Sequence, residues 1–518
     1  MTVSDKNIIK ELKNIVGEKN ASDDPTIRFA HTRDQFVRTR GPDYVVIVSN
    51  KEEISEILKL AYEHKIPVIP KATGANISGA VIPEKGGIIL DVKKMDKILE
   101  IDKENMTATI EPGVSMGQLQ IEAWKHGLFV PEPSGPHVVK VIANLIQCRG
   151  ISTYSAKYGM GFVNHGIGYE FVLPNGEIIQ MGSFANPAGE KSENWPHVCG
   201  PDLSGAYVFA FGTLGVCTKA KIKLYPIIES FEGGTNDRYV AIAGPLEDCF
   251  KILKLIVKYD VYKNIFLTKW PYLAMLFGQK KKDTQKMMKR SFFEAMITMV
   301  LEGSERRINY YQERLKKIID ENFKKILVGP LDKVQGTMMR MTSPGPHSML
   351  EQVIEEPRRL VDFMFLSARA FRVHGAFGGN TPLLALDDAY EIFQSTKKAA
   401  TEYAPRPYEI ACYFQPVDDY HYALQEMDLY FDNFDPVDSK KSFAGHQIGS
   451  YYSILRRRDC LIFYIYFAHD FNEAVMPLLA PGYMRLLKNW KTLVDPHSIM
   501  NHKKGILADE DYYKMEVK

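Results

Sequence analysis

The chain has 518 residues, 45% of them apolar, with 65 basic side chains against 63 acidic ones. Single domains stop growing at about 250–300 residues, so a soluble protein of at least two domains is expected. A net charge of +2 argues against nucleic acid as the main partner, because phosphate binding needs a concentrated basic surface.

Residues 1–20 are charged and lack an apolar leader core, and no run of about 18 apolar residues occurs anywhere, so no membrane span and a cytoplasmic location are expected. The six cysteines (Cys148, Cys199, Cys217, Cys249, Cys412 and Cys460) lie far apart with no CxxC pair. They read as reduced thiols, and neither a zinc knuckle nor an iron–sulfur cluster is written here. His197 and Cys199 have no further ligand at metal spacing, so no metal is expected.

From Tyr44 the pattern becomes regular. "YVVIVSN" reads as a strand, "KEEISEILKLAYEHK" as a helix with Ile54, Ile57, Leu58 and Ala61 on one face, and "IPVIPKA" as a second strand. The loop "KATGANISGAVIPEKGG" follows. Gly74 and Gly79 permit left-handed backbone, and the small residues Ala75, Ser78 and Ala80 permit close approach of a ligand. Consecutive amides in such a turn form an anion site that needs no lysine.

Next come "GGIILDV", the charged hairpin "ILEIDKENMTATIEPG" and a helix "SMGQLQIEAWKHG" closed by Gly127. "GIGYEFVLPNGEIIQMG" is a hairpin with Asn175-Gly176 at its tip, and "GVCTKAKIKLYP" is an alternating strand. Beyond residue 227 strand–helix units recur, at "YVAIAGPLEDCFKILKLIVKYD" and in the long amphipathic helix "ERRINYYQERLKKIIDENFKKI". "YEIACYFQPVDDYHYALQEMDLYFDNF" reads as a strand followed by a helix. These units predict a second sheet with helices on one face. A basic run, Lys280-Lys281-Lys282 with Lys286, Lys289 and Arg290, reads either as a solvated face or as a dock for an acidic partner. "LKNWKTLVDPHSIMNHKKGIL" is a helix ending before Asp495-Pro496.

"PKATGANISGAVIPEKGGIILDVKKMDKILEIDKENMTATIEPGVSMGQL" resembles the first half of the FAD domain of the vanillyl-alcohol oxidase and p-cresol methylhydroxylase (4-cresol dehydrogenase) family. "CRGISTYSAKYG", "YEFVLPNGEIIQMG", "GPDLSGAYVFAFGTLGVCTKAKIKLYP" and "DPHSIMN" resemble that family's later segments. The likeness spans residues 44–226 and about the last 30.

What the resemblance implies is an α+β chain with a two-lobed FAD-binding domain at 1–226 (core 44–226), joined by C-terminal residues 475–518. An α+β cap with an antiparallel sheet occupies 227–474. Thr73, Gly74, Ala75, Asn76, Ile77 and Ser78 are then the loop around the pyrophosphate, Pro133 and Ser134 a second contact, and Gly150, Gly215 and Val216 neighbours of the cofactor. In the family's phenol-oxidising members a loop tyrosine and a late Tyr-Arg pair hold the phenolate, where this chain has Gly79 and Gly445-His446. Cofactor attachment uses Tyr or His where this chain has Val373 and Thr381, so non-covalent FAD is expected; His374 lies one residue from the first of these places. The family's acid near the flavin is replaced by Gln147-Cys148 ahead of Arg149-Gly150.

Another base is therefore needed, and His446 and His374 are the candidates because histidine titrates near neutrality. Arg149, Tyr154 and Tyr158 fall in the segment that faces the flavin and are candidates to orient substrate. The expected activity is FAD-dependent oxidation of a small alcohol, hydroxy acid or benzylic compound. Alternatives are a flavin subunit passing electrons to a cytochrome or flavoprotein partner, and a non-redox transferase like alkyl-dihydroxyacetonephosphate synthase. A homodimer is expected by analogy alone.

Overall fold

Asn50 caps a helix of the N-terminal half, its side chain accepting from the Glu53 amide at 2.8 Å. The helix runs Lys51–His64 and ends at Lys65 in left-handed backbone. Its buried stripe, Ile54, Ile57, Leu58 and Ala61, is the one its periodicity predicts. The computed structural model describes residues 3–33, 41–75, 79–83, 85–131, 137–147, 154–159, 165–186, 201–227, 237–259, 262–277, 280–291, 293–330, 371–404, 406–456, 461–462, 480–502 and 504.

Helix Lys51–His64 crosses between two parallel strands of a four-stranded sheet. Tyr44–Ile47 and Val68–Lys71 both pair in parallel with Ile88–Asp91, and Ala21–Ser22 adds an antiparallel edge. All three parallel strands end at the same edge, where Lys71 and Asp91 stand in register. An antiparallel five-stranded sheet follows, ordered Ile98–Asp102, Thr107–Ile110, Val216–Lys223, Gly166–Val172, Ile178–Gly182. The cap is built on a nine-stranded sheet whose strands pair antiparallel. Helices Leu246–Ile256, Glu305–Asn322 and Ala389–Thr401 bury one apolar cluster with this sheet. A second cluster on the sheet takes in Trp270, Tyr272, Tyr413, Leu424 and Tyr430, and Phe209 of the N-terminal half packs against it.

One expected element is wrong. Residues 408–434 do not run strand then helix; Ala411–Val417 and Tyr422–Phe431 form an antiparallel hairpin in the middle of the cap sheet. Asp418, Asp419 and Tyr420 turn the chain with φ of 55°, 50° and 60°, a region that aspartate tolerates better than most residues. The helix begins later, at Pro436.

The C-terminal helix Pro481–Val494 returns to the N-terminal half. The Val68 amide donates to the Ile499 carbonyl and the Asn501 amide to the Val68 carbonyl, each at 2.8 Å. Lys491 and Asp495 form a buried ion pair at 2.6 Å, and the Lys491 ammonium also donates to the Thr213 carbonyl at 2.6 Å. The Asp495 carboxylate accepts from the amides of Ile499 and Met500.

Candidate functional site

The loop that leaves Val68–Lys71 opens at the carboxyl edge of the parallel strands, the edge at which open α/β sheets receive ligands. Gly74 and Gly79 adopt φ of 72° and 74°. The positive φ favours glycine at 74, where a Cβ would also push aside the end of the Lys71 side chain. Thr73 and Ala75 are exposed on the rim, and the Thr73 hydroxyl ties the loop to the Val138 carbonyl at 2.9 Å. Under the loop the Lys71 ammonium meets His31 Nδ1 at 2.8 Å.

Burial, and then the charge of Lys71, pushes the His31 ring down to about 4, so His31 is a neutral acceptor at neutral pH. Burial lowers Lys71 as well, although Asp91 acts in the other direction. The loop thus pairs backbone donors with one half-buried cation, a combination suited to a diphosphate. Of the expected loop residues Thr73, Gly74 and Ala75 stand here. Asn76, Ile77 and Ser78 lie outside the described residues, as do Pro133, Ser134, Arg149 and Gly150.

Beside the loop runs a turn of unusual backbone. Phe209, Phe211, Gly212 and Gly215 have φ of 66°, 53°, 70° and 144°. For the two phenylalanines such backbone persists only where neighbours over-determine it, and here they do. The Gly212 amide donates to Gln147 Oε1 at 2.8 Å, and the Phe211 and Phe209 amides donate to the carbonyls of Gln147 and Ile146. Gln147, which stands where the family's acid is expected, therefore holds this turn. The Asn501 side-chain amide donates to both the Ala80 and Phe211 carbonyls, at 3.0 and 2.6 Å, locking loop and turn together. Gly215 is held against the Val172 carbonyl, 2.6 Å from where its Cβ would stand. Val216 is buried in strand register with Val172.

Tyr154 lies in an aromatic group with Phe129, Tyr158 and Tyr225, its ring 5.4 Å from that of Phe129. Next to it Lys157 and Lys263 both pair with Glu302 of the cap, at 2.9 and 3.2 Å. Lys263 also lies over the Phe129 ring at 5.2 Å. His165 sits beneath this group, its Nδ1 3.0 Å from the Tyr225 hydroxyl and its Nε2 3.4 Å from the Gly159 carbonyl. A neutral ring with the proton on Nε2 satisfies both contacts.

Burial depresses His165 from the usual 6.5 to about 4. The unfolded chain then binds the proton first as pH falls, so stability is complete above pH 6.5 and is lost between 6.5 and 4. The loss is about 3 kcal/mol at 1.36 kcal/mol per unit. Urea unfolding at pH 7 and pH 4.5 should show it, and His165→Gln should flatten that slope.

His374 is tied into a buried ion cluster. Its Nε2 meets Glu409 Oε2 at 2.8 Å, Arg406 bonds the same oxygen at 3.1 Å, and Arg406 reaches Asp438 at 2.7 Å. The other candidate base, His446, is in helix Pro436–Arg456, and its side chain lies outside the described residues. Val373 and Thr381, at the two attachment places, are both buried.

The misread hairpin supplies what the sequence did not: a polar patch in the middle of the cap sheet. Glu426 stands opposite Tyr413 and Asp428 opposite Ala411. The Tyr430 hydroxyl donates to Asp428 Oδ2 at 3.3 Å, and the Tyr413 hydroxyl donates to Gln415 Oε1. Burial raises Glu426, and burial together with the charge of Glu426 raises Asp428 well above the carboxylate range.

Residues 42–182 match the family described as an FAD binding domain. Residue by residue, the chain is 35% identical over 223 residues to the glycolate oxidase subunit GlcD of Bacillus subtilis, covering 43% of this chain and 45% of that protein. It is 32% identical over 188 residues to the 4-cresol dehydrogenase [hydroxylating] flavoprotein subunit of Pseudomonas putida, covering 36% and 35%. The chain thus spans less than half the length of these two relatives. In fold it superposes on substrate-bound p-cresol methylhydroxylase with a TM-score of 0.80 at 17% identity, over 99% of this chain and 98% of that one. The loop, the cation beneath it and the sheet edge fit the diphosphate of FAD. Residues 42–182 thus match an FAD binding domain, within a chain whose fold is that of the p-cresol methylhydroxylase structure.

Proposed function

We propose that the protein is an FAD-dependent oxidoreductase acting on a small substrate whose reacting carbon bears a hydroxyl group, a 2-hydroxy acid or an alcohol. The observation that carries this reading is the patch of Tyr413, Gln415, Glu426, Asp428 and Tyr430 on the cap sheet. Tyr413 and Tyr430 share a core with Phe209, the residue that opens the turn beside the FAD loop. When bound, FAD supplies the two-electron acceptor, and the chain's own residues supply position and proton transfer. Likeness to a glycolate oxidase subunit supports a 2-hydroxy acid. A phenol is disfavoured because Gly79, buried at φ 74°, offers no hydroxyl to a phenolate. FAD is held non-covalently in this reading: Val373 has no nucleophile, and His374 is engaged by Glu409.

The test is anaerobic titration of the yellow protein with alcohols, 2-hydroxy acids and 4-alkylphenols. Bleaching of the flavin band by one of the first two classes is expected. Rapid bleaching by a 4-alkylphenol overturns the substrate class, and no bleaching by any compound overturns the activity. A cytochrome or second flavoprotein as electron acceptor is favoured by the exposed basic face of Lys280, Lys281, Lys282, Lys286, Lys289 and Arg290. In the reoxidation step of the same experiment, replacing these lysines with Gln should slow a cytochrome acceptor and leave dioxygen unaffected.

A further inference from the structure

Asp428 is 1% exposed, yet its strand neighbours are the smallest available. Register places Ala411 on one side of it and Gly379 on the other. Neither neighbour places a bulky side chain beside the carboxyl group. Its Oδ1 is buried and has no hydrogen-bond partner among the described residues. The carboxyl groups of Asp428 and Glu426 lie within hydrogen-bond reach of each other, and a buried carboxyl oxygen left without a partner costs about 1–3 kcal/mol or more, so the pair is suited to a polar ligand.

Two positions earlier on the same face stands Glu426, half-buried, between Asp428 and the Tyr413 position. Two positions later Tyr430 faces Phe377 across the sheet, and its hydroxyl donates to Asp428. Among the described residues the ionisable groups facing the pair are Tyr272, Tyr413, Tyr430 and, through the sheet, Cys412. None of these is a cation at neutral pH. Two carboxyl groups so placed do not both ionise, because each charge opposes the other and burial opposes both.

We propose that Glu426 and Asp428 act together as the proton acceptor of the active site, taking the hydroxyl proton of the substrate. The inference rests on the oxidoreductase reading above and assigns its missing base. Before reaction the pair holds one proton between its two carboxyl groups, so one oxygen donates to the substrate and another accepts. In the reaction the substrate O–H bond breaks, its proton goes to the pair and its electron pair closes the carbonyl. The hydrogen on carbon leaves with two electrons to the oxidant, the bound FAD. Tyr430 positions the pair, since its hydroxyl bond favours the ionised Asp428.

The experiment compares the holoprotein with Asp428→Asn, Glu426→Gln and Tyr430→Phe at matched FAD content. Infrared difference spectra across a pH titration should show a protonated-carboxyl band in the wild type that Asp428→Asn removes. With a substrate found in the anaerobic titration, Asp428→Asn should slow flavin reduction by roughly 100-fold or more, the range of a general base. Tyr430→Phe should move the pH midpoint of reduction upward without emptying the FAD site. Absence of the band in the wild type, its survival in Asp428→Asn, or reduction within about 3-fold of wild type in Asp428→Asn and Glu426→Gln overturns the inference while the oxidoreductase reading stands. If no compound reduces the wild-type flavin, both fall together.

Discussion

Lys491→Met should lower the unfolding free energy by about 3–5 kcal/mol, the cost of stranding one partner of a buried ion pair. In the wild type the ammonium satisfies the Asp495 carboxylate and the carbonyls of Thr213 and Met500 at once. Methionine fills the same volume and leaves the carboxylate of Asp495, fully buried, without its countercharge. The reading is a lower urea midpoint at unchanged slope. Because Thr213 belongs to the turn beside the FAD loop, the same variant should release flavin at lower urea than the wild type. Adding Asp495→Asn to Lys491→Met should restore part of the loss, since an amide in place of the carboxylate removes the stranded charge. An unchanged midpoint would mean that the C-terminal helix is not held by this pair.

Lys71→Gln should weaken FAD binding to the apoprotein by roughly 10- to 100-fold, because a charge-assisted hydrogen bond is worth about 1.5–3 kcal/mol. The cation lies directly under Gly74, and the neutral His31 beside it accepts a hydrogen bond from it. Burial and then Lys93 pull the titration of Lys71 down, and the Asp91 carboxylate opposes them. Flavin fluorescence titrations at two salt concentrations separate the charge from the shape. The wild type should lose affinity as salt rises, and the variant much less so. Equal affinities at both salt concentrations would assign Lys71 to holding His31 and nothing more.

The cofactor-binding half was legible because its local signals agree. The 3.6-residue stripe of Ile54, Ile57, Leu58 and Ala61, the alternation of "CTKAKIK" and the paired glycines of the loop each point to one structure. The substrate side was hidden by burial on both faces. Along Tyr422–Phe431, Ala423, Met427 and Leu429 enter one apolar cluster and Leu424 and Tyr430 the other. A strand sandwiched in this way loses its alternation. Its Ala, Leu, Gln, Glu and Met residues also favour helix by intrinsic propensity, so the segment read as helical. Glu426 and Asp428, two apart, would point in different directions on a helix; on a strand they share a face. A weak signal was present in Asp418-Asp419, a turn pair between two aromatic-rich runs. The role of Gln147 had no sequence signature, since its partners, the Gly212 amide and the Tyr207 carbonyl, lie about 60 residues away.

Asn501 bonds to Ala80 across 421 positions of the chain and to Phe211 across 290. During synthesis the early segments emerge and fold first, but this fastening cannot close until the whole intervening cap has been translated. A nascent chain therefore presents the loop at Ala80 and the turn at Phe211 in an unlatched state until the late segment has come home.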